Sequence, residues 1–179
     1  MKLTFPAPIQ KILGILNCKL GADVLAKSPI LLAVSIVVFI VAVFLFQASF
    51  YSAARAAASS IASAVLLAAV ALGCARVSGY GERLTQTLTA LALSGAIVIF
   101  IRTALGFIIF IAPNLAELPD DNVRQLTAFL LFPLYVWNII VFAFLFRRSF
   151  RTGVVVSFAV SIILLFVMYF SVPIMFKSM

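Results

Sequence analysis

Residues 84–113 are LTQTLTALALSGAIVIFIRTALGFIIFIAP, and this stretch decides the fold. It is long enough to cross a bilayer, because a spanning helix needs about 20 mainly apolar residues. It contains one charged side chain, Arg102, well inside the apolar sequence. Hydrocarbon offers no water to backbone N–H and C=O groups, so such a stretch must be helical. The sequence therefore predicts a transmembrane helix that carries a cation.

The rest of the chain has the same apolar character. Of its 179 residues, 65% are hydrophobic and 10% are charged, and the mean hydropathy is +1.27. Soluble domains are about half apolar and about a quarter charged. We therefore predict an all-α polytopic membrane protein: a bundle of five transmembrane helices preceded by a short N-terminal amphipathic segment.

Breaks between the apolar runs divide the chain into two regions. Residues 1–28 are predicted to form a cytoplasmic amphipathic segment, in which apolar residues recur at helical spacing among lysines. This segment either lies on the inner membrane surface or packs on the ends of the bundle, and the pattern leaves both positions open. Residues 29–179 form the transmembrane domain, with spans predicted at about 29–47, 56–74, 85–112, 126–146 and 153–172.

Small residues predict where the helices approach closely. Ser59 and Ser63 lie four residues apart among alanines, so they share one face of the second span. Small side chains at this spacing let helix backbones come together, so we expect the second span to be the central packed helix. Gly95 and Gly106 share a face with Arg102 on the third span, which predicts a helix contact there as well.

The distribution of lysine and arginine predicts the orientation. In a five-span arrangement, nine of these cations fall on one side: Lys2, Lys11, Lys19, Lys27, Arg76, Arg83, Arg147, Arg148 and Arg151. Three fall on the other side: Arg55, Arg124 and Lys177. By the positive-inside rule the N-terminus is cytoplasmic and the C-terminus is outside, and the short loops favour a bacterial inner membrane. The same rule accounts for the net charge of +8, so nucleic acid is not an expected partner.

Arg102 is the main candidate for a functional residue, because a charge at the centre of a membrane helix costs about 2.5–3.5 kcal/mol. No acidic residue lies in any predicted span. Tyr135 lies at a similar predicted depth, and Trp137 and Asn138 are a turn deeper. We expect a hydrogen bond to Tyr135 or Asn138, or a cation–π contact with Trp137, to hold the guanidinium.

Three roles for Arg102 stay open. It is a structural arginine, or it meets an anionic lipid headgroup or an acidic residue of a partner, or it takes part in transport or catalysis. The residues offer little for catalysis, because there is no histidine and the acids lie in loops or in the N-terminal segment. Two cysteines, Cys18 and Cys74, do not make a disulfide framework or a metal site. We therefore predict no metal, no cofactor and no enzymatic activity.

From residue 79 onward, the order of features resembles a known family. It comprises GYGER at 79–83, QTL at 86–88, Pro133, WN at 137–138, and the arginine cluster before an apolar last span. This order resembles bacterial members of the Yip (Ypt-interacting protein) family. The resemblance implies five spans, a cytosolic N-terminus and a non-enzymatic role in membrane organisation. The glycine-rich cytosolic loop of eukaryotic members is not in this sequence, so binding of Rab-type GTPases is not implied.

The expected function is that of a scaffold or accessory subunit in membrane organisation or in a membrane complex. Expected partners are the lipid bilayer, an anionic lipid, and either a membrane-protein partner or a second copy of the chain. The alternative is a component of a transporter or channel for a lipid or an anionic solute, and a membrane-embedded enzyme is the third interpretation. A dry, packed bundle around Arg102 favours the first, whereas a water-filled vestibule that reaches Arg102 favours the second.

Overall fold

The computed structural model describes the backbone of residues 6–111 and 120–176, and their side chains except those of 109–111, 120–127, 170, 171 and 173. Within these ranges the regular structure is entirely helical, which confirms the predicted all-α class. The helices are α1 (Ala7–Leu16), α2 (Pro29–Ala48), α3 (Ala53–Ser78), α4 (Leu84–Ile111), α5 (Asp120–Phe150), α6 (Val154–Phe166) and α7 (Val172–Met175). Single 3-10 turns lie at Ala22–Val24 and Gly81–Arg83, and a π-helical stretch, Val167–Ser171, joins α6 to α7.

Four helical segments are long and apolar enough to cross a membrane. They are Pro29–Ala48, Ala53–Ser78, Gly81–Ile108 and Ala128–Phe150. They coincide with the first four predicted spans. The segment predicted as the fifth span begins with a shorter apolar helix, because α6 has 13 residues before the π-helical stretch. The predicted end of the third span at residue 112 and the acidic loop at Glu117 lie outside the described residues.

Local sequence signals account for several helix ends. The hydroxyl of Ser28 accepts a hydrogen bond from the Leu31 N–H at 3.3 Å, and Pro29 supplies the first turn of α2 with a suitable backbone angle. The hydroxyl of Ser52 caps α3 in the same way. Helix α3 ends at Gly79, whose φ of +76° is a left-handed conformation that glycine adopts without a Cβ penalty.

The central helix of the bundle is α4. It contacts α1, α2, α3 and α5, and 44% of the residues in its apolar segment are buried, against 28% in α3 and 22% in α2. The expectation that the second span would be the central helix was therefore wrong. The small residues of α3 do allow close contact with α2, but α4 is the helix placed between α2 and α5.

The N-terminal segment is attached to the bundle by side chains that donate to its backbone carbonyls. The Trp137 indole donates to the Leu16 carbonyl at 3.0 Å, and the Gln86 amide donates to the Leu25 carbonyl at 2.6 Å. These contacts show that residues 16–25 pack on the bundle. Helix α1 also contacts α4, and its last residues, Ile15 and Leu16, are buried. A position of the rest of α1 on the membrane surface stays a prediction.

Most of the described lysine and arginine residues lie at one end of the bundle. Arg148 lies 3.5 Å from Asp23 and donates to the Lys19 carbonyl at 3.4 Å, which joins the end of α5 to the N-terminal segment. The Arg151 guanidinium lies 5.3 Å from the centre of the Tyr80 ring, which brings the α5–α6 turn beside the α3–α4 turn. We call this end, formed by residues 16–27, 79–86 and 147–153, the basic end.

Candidate functional site: a buried arginine among aromatic rings

Arg102 is completely buried on α4, with a relative exposure of 0%. Three aromatic rings from three different parts of the chain surround its guanidinium. The Arg102 Cζ lies 3.8 Å from the centre of the Tyr135 ring on α5, 4.4 Å from that of Phe46 on α2, and 4.5 Å from that of Tyr169 in the π-helical stretch. We call these three rings the aromatic cage. The cage joins α2, α4, α5 and the last helical segment around one charge.

A hydrogen bond adds to the cation–π contacts. The Arg102 Nη2 donates to the Tyr135 hydroxyl at 2.5 Å. The Asn138 amide donates to the Tyr169 hydroxyl at 3.2 Å, and the Tyr135 and Tyr169 rings meet edge to face with centres 5.5 Å apart. Among the described residues, Nε and Nη1 of Arg102 have no hydrogen-bond partner, and neither does the Asn138 Oδ1. The guanidinium is thus held mainly by the π faces of the rings and by one hydroxyl.

The cage lies in the half of the bundle away from the basic end. At a rise of about 1.5 Å per residue, Arg102 lies about 27 Å along α4 from its first residue. By the same measure, Phe46 lies about 26 Å from the start of α2, Tyr135 about 23 Å from the end of α5 and Tyr169 about 23 Å from the start of α6. All four side chains therefore lie about 23–27 Å along their helices from the basic end, and they form one layer of the bundle.

This geometry makes Arg102 a fixed positive charge without an acidic partner among the described side chains. A guanidinium carries N–H donors and no acceptor, so its partners are acceptors or π faces. A cation over an aromatic face contributes about 0.5–1 kcal/mol when exposed and about 2 kcal/mol when desolvated. Such contacts, together with the bond to Tyr135, offset the cost of about 2.5–3.5 kcal/mol of placing a charge at the centre of a membrane helix.

The other polar residues predicted beside Arg102 are divided between two places. Tyr135 lies at the site, where its ring faces the guanidinium and its hydroxyl accepts the hydrogen bond from Arg102. Asn138 does not contact Arg102 but is linked to the site by its hydrogen bond to Tyr169. Trp137 is elsewhere: its indole N–H is bonded to the Leu16 carbonyl, so it secures the N-terminal segment. The cation–π contacts come from the cage rings and not from Trp137.

The predicted helix-packing residues also differ in their surroundings. Ser59 and Ser63 are buried, and Ser59 donates a hydrogen bond to the buried Gln47 side chain across the α2–α3 contact. Gly95 lies where α4 meets two phenylalanine rings: an added Cβ would be 3.0 Å from Phe39 and 3.2 Å from Phe142. An added Cβ at Gly106 would meet no described atom within 4 Å, so a helix contact at Gly106 stays a prediction.

Sequence reasoning did not find Phe46, Tyr169 or Gln47. Tyr169 carried a usable signal, because a tyrosine in an otherwise apolar last span needs a partner for its hydroxyl. Gln47, at the end of α2, carried a similar signal. Phe46 carried none, because it is one of 18 phenylalanines and a phenylalanine in a span is ordinary.

The described residues contain no group of three histidine, cysteine, aspartate or glutamate side chains that could hold a metal ion. Cys18 is a free thiol in the turn after α1, and Cys74 is a free thiol on α3. No protein-family model, no curated protein and no solved structure matches the chain significantly. The Yip resemblance therefore depends on the residues quoted above and stays a proposal.

Proposed function

We propose that this chain is a non-enzymatic integral membrane protein that acts as a scaffold or accessory subunit in membrane organisation or in a membrane complex. The observation that carries the proposal is the complete burial of Arg102 within the aromatic cage. A transport arginine has to meet its solute, whereas this guanidinium is covered by rings from α2, α5 and the last helical segment. Arg102 then has a structural role, because its contacts hold the helices of the scaffold together.

The proposal includes five spans with a cytoplasmic N-terminus and an external C-terminus, in a bacterial inner membrane. Support for a fifth span comes from the helical backbone that continues from 154 to 175 through the π-helical stretch. At about 1.5 Å per residue this segment is about 32 Å long, which suffices for a hydrocarbon core of about 30 Å. Support for the orientation comes from the collection of cations at the basic end, which the positive-inside rule assigns to the cytoplasm.

Membership of the Yip family is part of the same proposal, with a membrane protein or a second copy of the chain as the partner. An apolar surface is available to such a partner. One face of α2 presents exposed aliphatic side chains along its whole length: Ile30, Val34, Val37, Val41 and Leu45. These side chains meet either lipid or another membrane helix, as expected for a subunit that works through lateral contacts.

One observation favours a second candidate, a component of a transporter for a lipid or an anionic solute. Two guanidinium nitrogens of Arg102 lack a hydrogen-bond partner among the described residues, and an anion would supply acceptors for both. This function requires the cage to open, because every ring of the cage lies within 4.5 Å of the guanidinium carbon.

Reconstitution into vesicles distinguishes the two functions. Efflux of anionic solutes and transbilayer movement of a fluorescent anionic lipid are measured for the wild type and for Arg102→Met, with protein-free vesicles as the baseline. The scaffold proposal predicts baseline rates for both proteins, and a stoichiometric second chain in native mass spectrometry after mild detergent extraction. Transport well above the baseline that Arg102→Met abolishes would overturn it in favour of the second candidate.

A further inference from the structure

Two clefts adjoin at the basic end of the bundle, and no residue of the aromatic cage lines either of them. The first has a volume of about 300 Å³ and is lined by Phe144, Arg147, Arg148 and Arg151. The second has a volume of about 160 Å³, lies between α5 and α6, and shares Phe144 and Arg147 with the first. A cationic cleft thus continues directly into a mainly apolar one.

The apolar cleft runs along the helices toward the middle of the bundle. Its α5 wall consists of Ile140, Ala143, Phe144 and Arg147, a spacing that places all four on one helical face. From Arg147 to Ile140 this face extends about 10 Å along the helix. The large side chains of the cleft open outward, because Ile140 is 42% exposed and Phe158 on α6 is 38% exposed. The groove therefore faces the surroundings of the bundle and not its core.

The three arginines of the first cleft are not equivalent. Arg148 is engaged by Asp23 and by the Lys19 carbonyl, so it belongs to the attachment of the N-terminal segment. Arg147 and Arg151 are exposed and make no ion pair with a described side chain. Arg151 has a φ of +51° in the tight turn between α5 and α6, and this turn keeps it beside the end of α5. The cleft therefore presents two cations without a described anionic partner.

We propose that the joined clefts bind one anionic glycerophospholipid from the leaflet at the basic end. The phosphate accepts hydrogen bonds from Arg147 and Arg151, since guanidinium groups match phosphate geometry. An acyl chain lies in the groove between α5 and α6, against Ile140, Phe144 and Phe158. A cationic cleft by itself would accept any anion, and an apolar groove by itself would accept any hydrocarbon. Because the two clefts meet at Arg147, they fit a molecule whose anionic group and hydrocarbon chain lie about 10 Å apart or less. This site is independent of the scaffold role and of Arg102.

Trp137 provides the measurement, because it is the only tryptophan in the chain and lies one turn beyond Ile140 on α5. The full-length protein is reconstituted in phosphatidylcholine vesicles that contain increasing fractions of dibrominated phosphatidylglycerol or, separately, dibrominated phosphatidylcholine. Bromine atoms on the acyl chain quench indole fluorescence when the chain is close. We expect the wild type to prefer the anionic lipid over the zwitterionic one by at least fivefold.

Single substitutions test which residues carry the preference. Arg147→Gln and Arg151→Gln are each expected to weaken it about fivefold, the factor that corresponds to about 1 kcal/mol per arginine at an anionic surface. Arg76→Gln is the matched control, because Arg76 is exposed near the end of α3 and lines neither cleft. This control should keep the wild-type preference. Val154→Phe fills the apolar groove while every arginine remains, and it should also weaken the preference.

Three results would overturn the proposal. The first is a wild type that is quenched equally by the two lipids. The second is an Arg76→Gln protein that loses as much preference as Arg147→Gln, because surface charge in general would then be responsible. The third is a folded Val154→Phe protein with the full preference, because the acyl chain would then not occupy the groove.

Discussion

Removing the Tyr135 hydroxyl should destabilise the bundle only while Arg102 is present. In Tyr135→Phe the ring stays over the guanidinium, but the acceptor 2.5 Å from Nη2 is lost. A hydrogen bond to a charged group contributes about 1.5–3 kcal/mol, and Nε and Nη1 already lack partners among the described residues. We therefore expect Tyr135→Phe to lower the free energy of unfolding by about 1.5–3 kcal/mol.

The same substitution should matter much less in an Arg102→Met background. Methionine is apolar and flexible enough to fill the space among the rings, and it leaves the Tyr135 hydroxyl without its guanidinium partner. In this background, changing Tyr135 to phenylalanine removes a hydroxyl that has already lost its hydrogen bond. The free energy of unfolding should therefore decrease by less than about 0.5 kcal/mol. The difference between the two backgrounds, about 1–3 kcal/mol, is the coupling energy between the two side chains.

The assay is equilibrium unfolding of the purified protein in mixed detergent micelles with increasing dodecyl sulfate, followed by the fluorescence of Trp137. Tyr80→Phe is a matched control: its ring also faces two arginines, Arg83 at 5.8 Å and Arg151 at 5.3 Å, but its hydroxyl has no hydrogen bond among the described residues. This control should change the free energy of unfolding by less than about 0.5 kcal/mol. Additive costs for Tyr135→Phe and Arg102→Met, or a Tyr135→Phe protein as stable as the control, would refute the structural role of Arg102.

Three further predictions concern the packing of the bundle and the N-terminal segment. Gly95→Ala should cost about 1–3 kcal/mol in the same unfolding assay, because its Cβ meets two phenylalanine rings; Gly73→Ala, with open space around it, should cost nothing or stabilise by up to about 1 kcal/mol. Ser59→Ala should cost about 1–3 kcal/mol by leaving the buried Gln47 amide oxygen unpaired, and adding Gln47→Leu should recover most of that loss. Burial raises the pKa of the Cys18 thiol above its usual range. The rate of maleimide labelling of Cys18 at pH 7.5 should therefore be lower than that of a small free thiol, and it should increase as the pH passes the raised pKa. Equal labelling rates for the two thiols at all pH values would contradict this.

Much of the secondary structure follows from the sequence, because apolar length and helix-capping residues act locally. The predicted span at 29–47 and the observed helix Pro29–Ala48 agree closely, since Ser28 and Pro29 begin a helix wherever the segment is placed. The relative positions of the helices do not follow in this way. Small residues in α3 correctly indicated a close contact, which is the one with α2, but they do not show that α4 lies between α2 and α5 and is the more buried helix.

The candidate site was predictable to the extent that its residues are unusual for a membrane span. Arg102 and Tyr135 stood out because a polar group in hydrocarbon needs a partner, and estimated depth then placed the two together. Phe46 did not stand out, because nothing distinguishes it from the other phenylalanines before the helices are packed. The expected contact with Trp137 was not found because the depth of a residue does not indicate which way its side chain points around the helix.

The sequence by itself determined that this protein consists of long apolar helices, that they carry an arginine deep in one of them, and that cations dominate particular loops. These properties depend on residues close together in the chain and on the low polarity of a bilayer. Only the tertiary structure decided that α4 is central, that Phe46, Tyr135 and Tyr169 enclose Arg102, and that Arg147 and Arg151 line a cleft that continues into an apolar groove. The physical reason is that helical periodicity defines directions within one helix, whereas contacts between helices depend on the rotation, tilt and order that packing of the whole bundle selects.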